Sequence, residues 1–149
     1  MRYLAGEKLI AVATSKWVLF DLKEQKITKL TDEIISPYKP ESESVFEEPL
    51  IKKIKEPENA ELSFIYEVKR SDIDMIKHMH NLNYLNLAYE ALPEESYFNS
   101  EKNNVCIMYK NQILLGEKVK CYYAKQENEE IVIIKNEDDS MVHAIVKLN

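Results

Sequence analysis

The sequence predicts an α+β fold in which an antiparallel, curved sheet wraps around one central helix. Three observations predict it. Leu62 to Lys69 alternates apolar and polar residues as a half-buried strand does. His78 to Leu92 then carries apolar residues at helical spacing and is followed at once by Pro93. Beyond that helix come four strand-like stretches separated by turn residues, so strand, helix and antiparallel strands follow one another in the order of a sheet packed on a helix. The length, 149 residues, is that of one domain on average, but the front of the chain reads as a separate segment.

In that front segment, Leu9 to Phe20 reads as one long strand. Leu9, Ala11, Ala13, Ser15, Trp17 and Leu19 share one face, and Ile10, Val12, Val18 and Phe20 share the other with Thr14 and Lys16. Both faces are largely apolar, so cover is expected on both sides. Asp21 to Lys26 is a polar turn, Ile27 to Leu30 a short returning strand, and Thr31-Asp32-Glu33 the cap of a brief helix ending before Pro37. Residues 37–60 hold Pro37, Pro40, Pro49 and Pro57 amid charged residues and serines, the texture of a linker or of an edge strand with loops.

From Glu61 the pattern is clearer. Leu62, Phe64, Tyr66 and Val68 form one face of a strand. Arg70 to Lys77 is polar and irregular, and Leu82, Leu85, Ala88 or Tyr89, and Leu92 mark the apolar stripe of the helix. The last strands are expected at Asn104–Leu114, Glu117–Lys125, Glu130–Lys135 and Met141–Leu148, with turns at 115–117, 126–129 and 136–140.

Composition excludes several classes of function. There are two glycines, Gly6 and Gly116, where average usage gives on the order of ten. A phosphate-cradling loop needs several together, so nucleotide sites of the P-loop or dinucleotide kind are out. Twenty basic against 26 acidic residues leave a net charge of −6, and the only arginines are Arg2 and Arg70, so nucleic acid is not an expected partner. No apolar run approaches the roughly 18 residues of a membrane span. Cys106 and Cys121 sit in strand-like text without CxxC spacing or an export signal, which reads as two buried, reduced thiols in a soluble, cytoplasmic protein. His78 and His80, two apart on a helix, point in different directions, and His143 stands alone on a late strand, so no metal is expected.

Asp72-Ile73-Asp74-Met75-Ile76-Lys77-His78-Met79-His80-Asn81-Leu82-Asn83-Tyr84 gathers two carboxylates and two imidazoles at a strand-to-helix junction. Helix N-termini offer unpaired N–H groups and partial positive charge, able to polarise a carbonyl. A carboxylate beside them can act as nucleophile or activate water, with histidine as partner. The plainer reading is that Asp72 or Asp74 simply caps the helix. In the same way Tyr84, Tyr89 and Tyr97 fit an acyl groove or, more ordinarily, a core. The acidic clusters at 127–130 and 137–139 read as solvated turns.

The spacing of Asp72, Asp74, His78, Asn81 and Tyr84 resembles the active-site signature of hotdog-fold thioesterases. The text around it, Val68 to Asp74 and Tyr84-Leu85-Asn86 through Glu90-Ala91-Leu92-Pro93-Glu94, is similar to the acyl-acyl carrier protein thioesterase family. The similarity continues in Met108-Tyr109-Lys110, in Gly116-Glu117-Lys118-Val119 and, at the front, in Ala13 to Asp21. That family is built from two hotdog domains in tandem. The resemblance therefore implies that residues 1–48 are the C-terminal part of a first hotdog, 49–60 a linker, and 61–149 a complete second hotdog. On that reading the chain is a truncated product, or the missing surface is supplied by a second copy or another chain.

The resemblance also implies roles. Asp74 and His78 match the family's catalytic aspartate and histidine, and Asn81 and Tyr84 its helix asparagine and tyrosine. Ile76 stands where the family has an asparagine, and Gln112 where it usually has a glutamate. Losing a positioned acid or base costs about 10²- to 10⁴-fold in rate. Lys77 occupies a position where many single-domain hotdog enzymes keep glycine.

The implied activity is hydrolysis of fatty acyl thioesters on acyl carrier protein to free fatty acid, without metal or organic cofactor. Asp74 is then base or nucleophile, His78 its partner, and the helix turn around His80 and Asn81 polarises the carbonyl. Lys52, Lys53, Lys55, Lys69, Arg70 and Lys77 are candidates for meeting an acidic carrier. The alternatives are a degenerate hotdog that binds an acyl chain or a partner without turnover, favoured by Ile76 and Gln112, and a dimeric single-hotdog acyl-CoA thioesterase.

Overall fold

The computed structural model describes the chain except at residues 17, 22, 25, 40–44, 47–52 and 100. It divides into two compact units, Met1–Lys52 and Lys53–Asn149.

The first unit consists of two hairpins and a short helix. β1 (Arg2–Ala5) pairs with β2 (Lys8–Val12), and β3 (Leu19–Asp21) with β4 (Lys26–Thr28), both antiparallel. Gly6, at φ 62°, makes the first turn in the left-handed region where glycine carries no steric cost. Leu9–Phe20 is thus not one strand. Its two ends pair with different partners, and Thr14 to Lys16 lies outside both strands. Nor is it covered on both sides: Ile10 and Val18 are 60% and 56% exposed, and no described residue of this unit is buried. α1 (Asp32–Ile35) starts after Thr31 as expected, but the Thr31 backbone oxygen, not its side chain, takes the amides of Ile34 and Ile35.

The second unit is a five-stranded antiparallel sheet. β5 (Glu61–Glu67), β6 (Val105–Tyr109), β7 (Lys118–Gln126), β8 (Glu129–Asn136) and β9 (Val142–Leu148) lie in the order β5-β7-β8-β9-β6. α2 (Asn81–Glu90) packs on one face against Val132, Ile134, Ala144, Val146 and Leu148. The other face carries Ile131, Ile133 and Ile145. Ile54 and Ala60, from the end of the expected linker, pack on it, and Glu56 there pairs with Lys110 (3.4 Å) and Lys135 (3.2 Å). With both faces covered, β8 reads as the continuous apolar run that such a strand requires. No helix among the described residues is long and apolar enough to cross a membrane.

Four expectations need correction. The helix begins at Asn81 instead of His78, because Met79 and His80 are held in the preceding loop by backbone bonds to Ile113 O (2.9 Å) and Asp72 O (2.8 Å). Its buried face is Tyr84, Leu87, Ala88, Ala91 and Leu92, with Leu85 and Tyr89 half-buried against the core, so of the expected stripe only Leu82, 56% exposed, lies outside. The strand expected at Asn104–Leu114 ends at Tyr109. There the amides of Lys110 and Asn111 both turn in to His143 O, at 2.8 and 3.1 Å. Of the two cysteines, Cys121 is buried, with its thiol pushed up to about 12 by desolvation, but Cys106 lies exposed on the edge strand β6. A second helix, α3 (Glu94–Asn99), follows Pro93.

Candidate active site

The two aspartates of the junction do different things. After a 3-10 turn at Arg70–Asp72, the Asp72 carboxylate accepts from the Lys69 amide (2.7 Å) and the Tyr66 hydroxyl (2.8 Å). Its backbone oxygen takes His80 N (2.8 Å) and Asn83 Nδ2 (3.0 Å). Burial and the bonded Asp72 carboxylate push the Tyr66 hydroxyl up to about 12, so it stays a donor. Asp72 anchors the loop to both strand and helix.

Asp74 closes the next turn. Its amide bonds His78 O at 2.9 Å, and its Oδ1 accepts from the amides of Ile76 (2.9 Å) and His78 (3.3 Å). Lys77 N reaches Asp74 O at 3.1 Å with Lys77 at φ 67°, and an Ile73–Met79 bridge seals the base of the loop. Both bonds fall on the same carboxylate oxygen, and Oδ2 has no protein bond among the described residues. No hydrogen bond joins the Asp74 carboxylate to the His78 imidazole.

The helix cap is neither aspartate. His80 occupies the cap position and its Nδ1 accepts from Leu82 N at 3.2 Å. Four residues on, Tyr84 is buried, and desolvation pushes its hydroxyl up to about 12 although the Ile113 amide donates to it. The Tyr84 ring meets Tyr109 edge-on, centroids 5.2 Å apart, and Tyr109 Oη donates to Asn81 O at 3.2 Å. Burial raises the Tyr109 hydroxyl as well.

Asp74, Ile76, His78, Asn81, Tyr84 and Gln112 all line one open groove of about 360 Å³. The Met79–Ile113 backbone bond is what brings Gln112 beside a loop more than thirty residues earlier in the chain. Chemically, the groove presents a carboxylate, imidazoles, primary amides and a helix N-terminus within one recess. Gln112 can orient a water but not accept its proton. Ile76, 65% exposed, contributes only apolar surface.

Sequence reasoning gave His80 a place only as part of the helix turn and assigned no groove roles to Tyr109, Lys110 or Asn111; all four residues also line it. Tyr109 and Lys110 stood in the quoted family-like text, but without the turn at His143 O nothing placed them at the groove. Tyr89 and Tyr97 are not groove residues; they pack edge-on against one another at 6.4 Å near the other end of the helix. Lys53, Lys55, Lys69, Arg70 and Lys77 are exposed, and Lys52 lies outside the described residues. In the acidic turn at 137–139, Asp139 binds Lys120 and Tyr122, each at 2.7 Å.

Comparison with known proteins follows the same lines. Residues 54–147 match the model of the acyl-ACP thioesterase C-terminal domain. The chain is 27% identical over 137 residues to oleoyl-acyl carrier protein thioesterase 2, chloroplastic, of Arabidopsis thaliana, covering 86% of this chain and 37% of that protein. It is 24% identical over 142 residues to the oleoyl-acyl carrier protein thioesterase, chloroplastic, of Coriandrum sativum, covering 88% of this chain and 38% of that one. Among solved structures, it resembles an acyl-ACP thioesterase from Bacteroides thetaiotaomicron (TM-score 0.72, 23% identity) over 87% of this chain and 51% of the other. It also resembles the 12:0-ACP thioesterase of Umbellularia californica (TM-score 0.72, 12% identity), over 87% of this chain and 52% of that one. These likenesses show the hotdog fold. The chain spans under two-fifths of the curated relatives it matches and about half of the solved chains. By the family model that covers most of its length, the chain belongs to the acyl-ACP thioesterase family through that family's C-terminal domain.

Proposed function

We propose that this chain carries the reacting groove of a thioesterase that hydrolyses a fatty acyl thioester on acyl carrier protein to free fatty acid and thiol. The observation that carries the reading is Asp74, held by two backbone amides in a groove shared with His78 and Gln112. Asp74 takes a proton from water as the water oxygen attacks the thioester carbon. The tetrahedral intermediate collapses, the C–S bond breaks, and the thiolate leaves with a proton delivered by His78. Gln112 positions the water, and the N-terminal turn of α2 faces the developing oxyanion. No metal or organic cofactor enters the scheme.

Lys69, Arg70 and Lys77, exposed on the loops leading to the groove, are the side chains offered to an acidic carrier. Residues 1–48 belong, in this reading, to a first hotdog, 49–60 to a linker and 61–149 to the second. The alignments that cover 86% and 88% of the chain support it, since they take in more than the second unit.

A second reading, acyl binding without turnover, is favoured by Ile76 and Gln112, neither of which can accept a proton. Thiol release from acyl thioesters of graded chain length, presented on carrier protein and on coenzyme A, separates the two. Chain-length-dependent release with preference for the carrier is the expected outcome. Saturable binding without release would instead support the binding module.

A further inference from the structure

Attack on a thioester places a negative charge on the former carbonyl oxygen, and a donor aimed at that oxygen supplies much of the rate enhancement in acyl transfer. Ile76 offers no polar atom to it. Several other groove donors are already engaged. Tyr109 Oη donates to Asn81 O at 3.2 Å, Asn111 Nδ2 to Val142 O at 2.7 Å, and Lys110 Nζ pairs with Glu56 at 3.4 Å. His80 differs from all of these. Its Nδ1 accepts the Leu82 amide at 3.2 Å, which requires a lone pair on that nitrogen and so puts the proton of the neutral ring on Nε2. The capping bond therefore fixes both the orientation of the ring and its tautomer. Nε2–H has no acceptor among the described residues, and His80 is one of the residues that line the groove together with Asp74 and His78.

We propose that His80 is a catalytic residue whose Nε2–H donates to the carbonyl oxygen of the bound thioester and to the oxyanion formed from it. The assignment rests on the hydrolytic reading of the groove. It gives one side chain two linked tasks: capping α2 with one nitrogen sets the tautomer that makes the other a donor. The neighbouring polar groups keep their separate tasks, since Asp74 handles the water proton and His78 the leaving thiol.

The test compares His80→Asp with His80→Asn in the full chain. Both replacements cap a helix well through a side-chain oxygen, but only asparagine keeps an N–H to aim at the substrate. The expected result is a fall in kcat of about 10²- to 10³-fold for His80→Asp, little change in its KM, and a much smaller loss for His80→Asn. Both variants should melt close to the parent protein. A second readout does not need turnover. An acyl ketone in which methylene replaces the thioester sulfur, labelled with ¹³C at the carbonyl, should show a downfield carbonyl shift when bound to the parent and to His80→Asn. The shift should be lost with His80→Asp. Equal kcat in the two variants, or an identical carbonyl shift in all three proteins, would overturn the proposal. If the ketone binds but no thioester is turned over, the hydrolytic reading fails while the shift still decides the donor role. Failure of the ketone to bind overturns both.

Discussion

Asp72 and Asp74 are separated by one residue, yet only one of them is free to do chemistry. Asp72 spends its carboxylate on Tyr66 and Lys69, so Asp72→Ala should cost about 1–3 kcal/mol of stability by leaving those donors unmet. Chemical denaturation would show it as a lower midpoint at unchanged slope. The sequence placed both carboxylates at the junction but left open which of them capped the helix. That choice is made where the His80 amide bonds Asp72 O and the Leu82 amide bonds His80 Nδ1, which puts a histidine and neither aspartate at the cap. Lys77 is more readable. Its φ of 67° lies in the left-handed region that glycine enters without steric cost. Lys77→Gly removes a left-handed strain of about 1–2 kcal/mol against the entropy glycine adds to the unfolded chain. The net effect should be a small stabilisation, read as a raised denaturation midpoint. A lowered midpoint would show that the Lys77 side chain contributes contacts of its own.

At the scale of elements, the strands after the helix were legible because their alternation and turn residues are local. The helix was legible in existence and in most of its apolar face. Of Leu82, Leu85, Ala88 or Tyr89, and Leu92, all but Leu82 pack in or against the core, while Tyr84, Leu87 and Ala91 join them there unread. Leu87→Ala should therefore cost about 2–5 kcal/mol, a core truncation, while Leu82→Ala should cost well under that. Comparable losses at the two positions would contradict the observed packing. The Leu9–Phe20 segment was misread because counting apolar residues cannot separate one long strand from two short ones with different partners.

The buried Glu130 adds a pH term to the sheet. Burial by itself would raise its carboxyl, but bonds from Lys102, Ser96 and Tyr123 outweigh that and hold it below the ordinary 4.5. A lowered folded-state value means the contribution to stability is complete above about pH 4.5 and disappears as pH falls through the lower value. Glu130→Gln should cost about 3 kcal/mol at neutral pH, because it leaves the Lys102 ammonium without its charge partner. It should also flatten the acid limb of the stability profile. An unchanged acid limb would remove Glu130 from that dependence.

For the whole molecule, the six site residues marked in sequence come to line one groove because two distant segments meet at the Met79–Ile113 bond. The 74–84 stretch was readable as a unit. Tyr109, Lys110 and Asn111 were not, since their place depends on where β6 stops, and β6 stops at the carbonyl of His143. The second unit has a core on both faces of its sheet, whereas the first unit buries none of its described residues. The chemistry assigned to this chain accordingly lies in the second unit.

The central claim is that Asp74 is the base in that groove. Asp74→Asn keeps an oxygen for the Ile76 and His78 amides while removing the ability to accept a proton. The direct measurement is the rate of thiol release from an acyl-carrier thioester by the parent chain and by Asp74→Asn, with melting curves for both. A loss of about 10²- to 10⁴-fold in kcat with coincident melting is the predicted result. Equal rates of release in two equally folded proteins would contradict it.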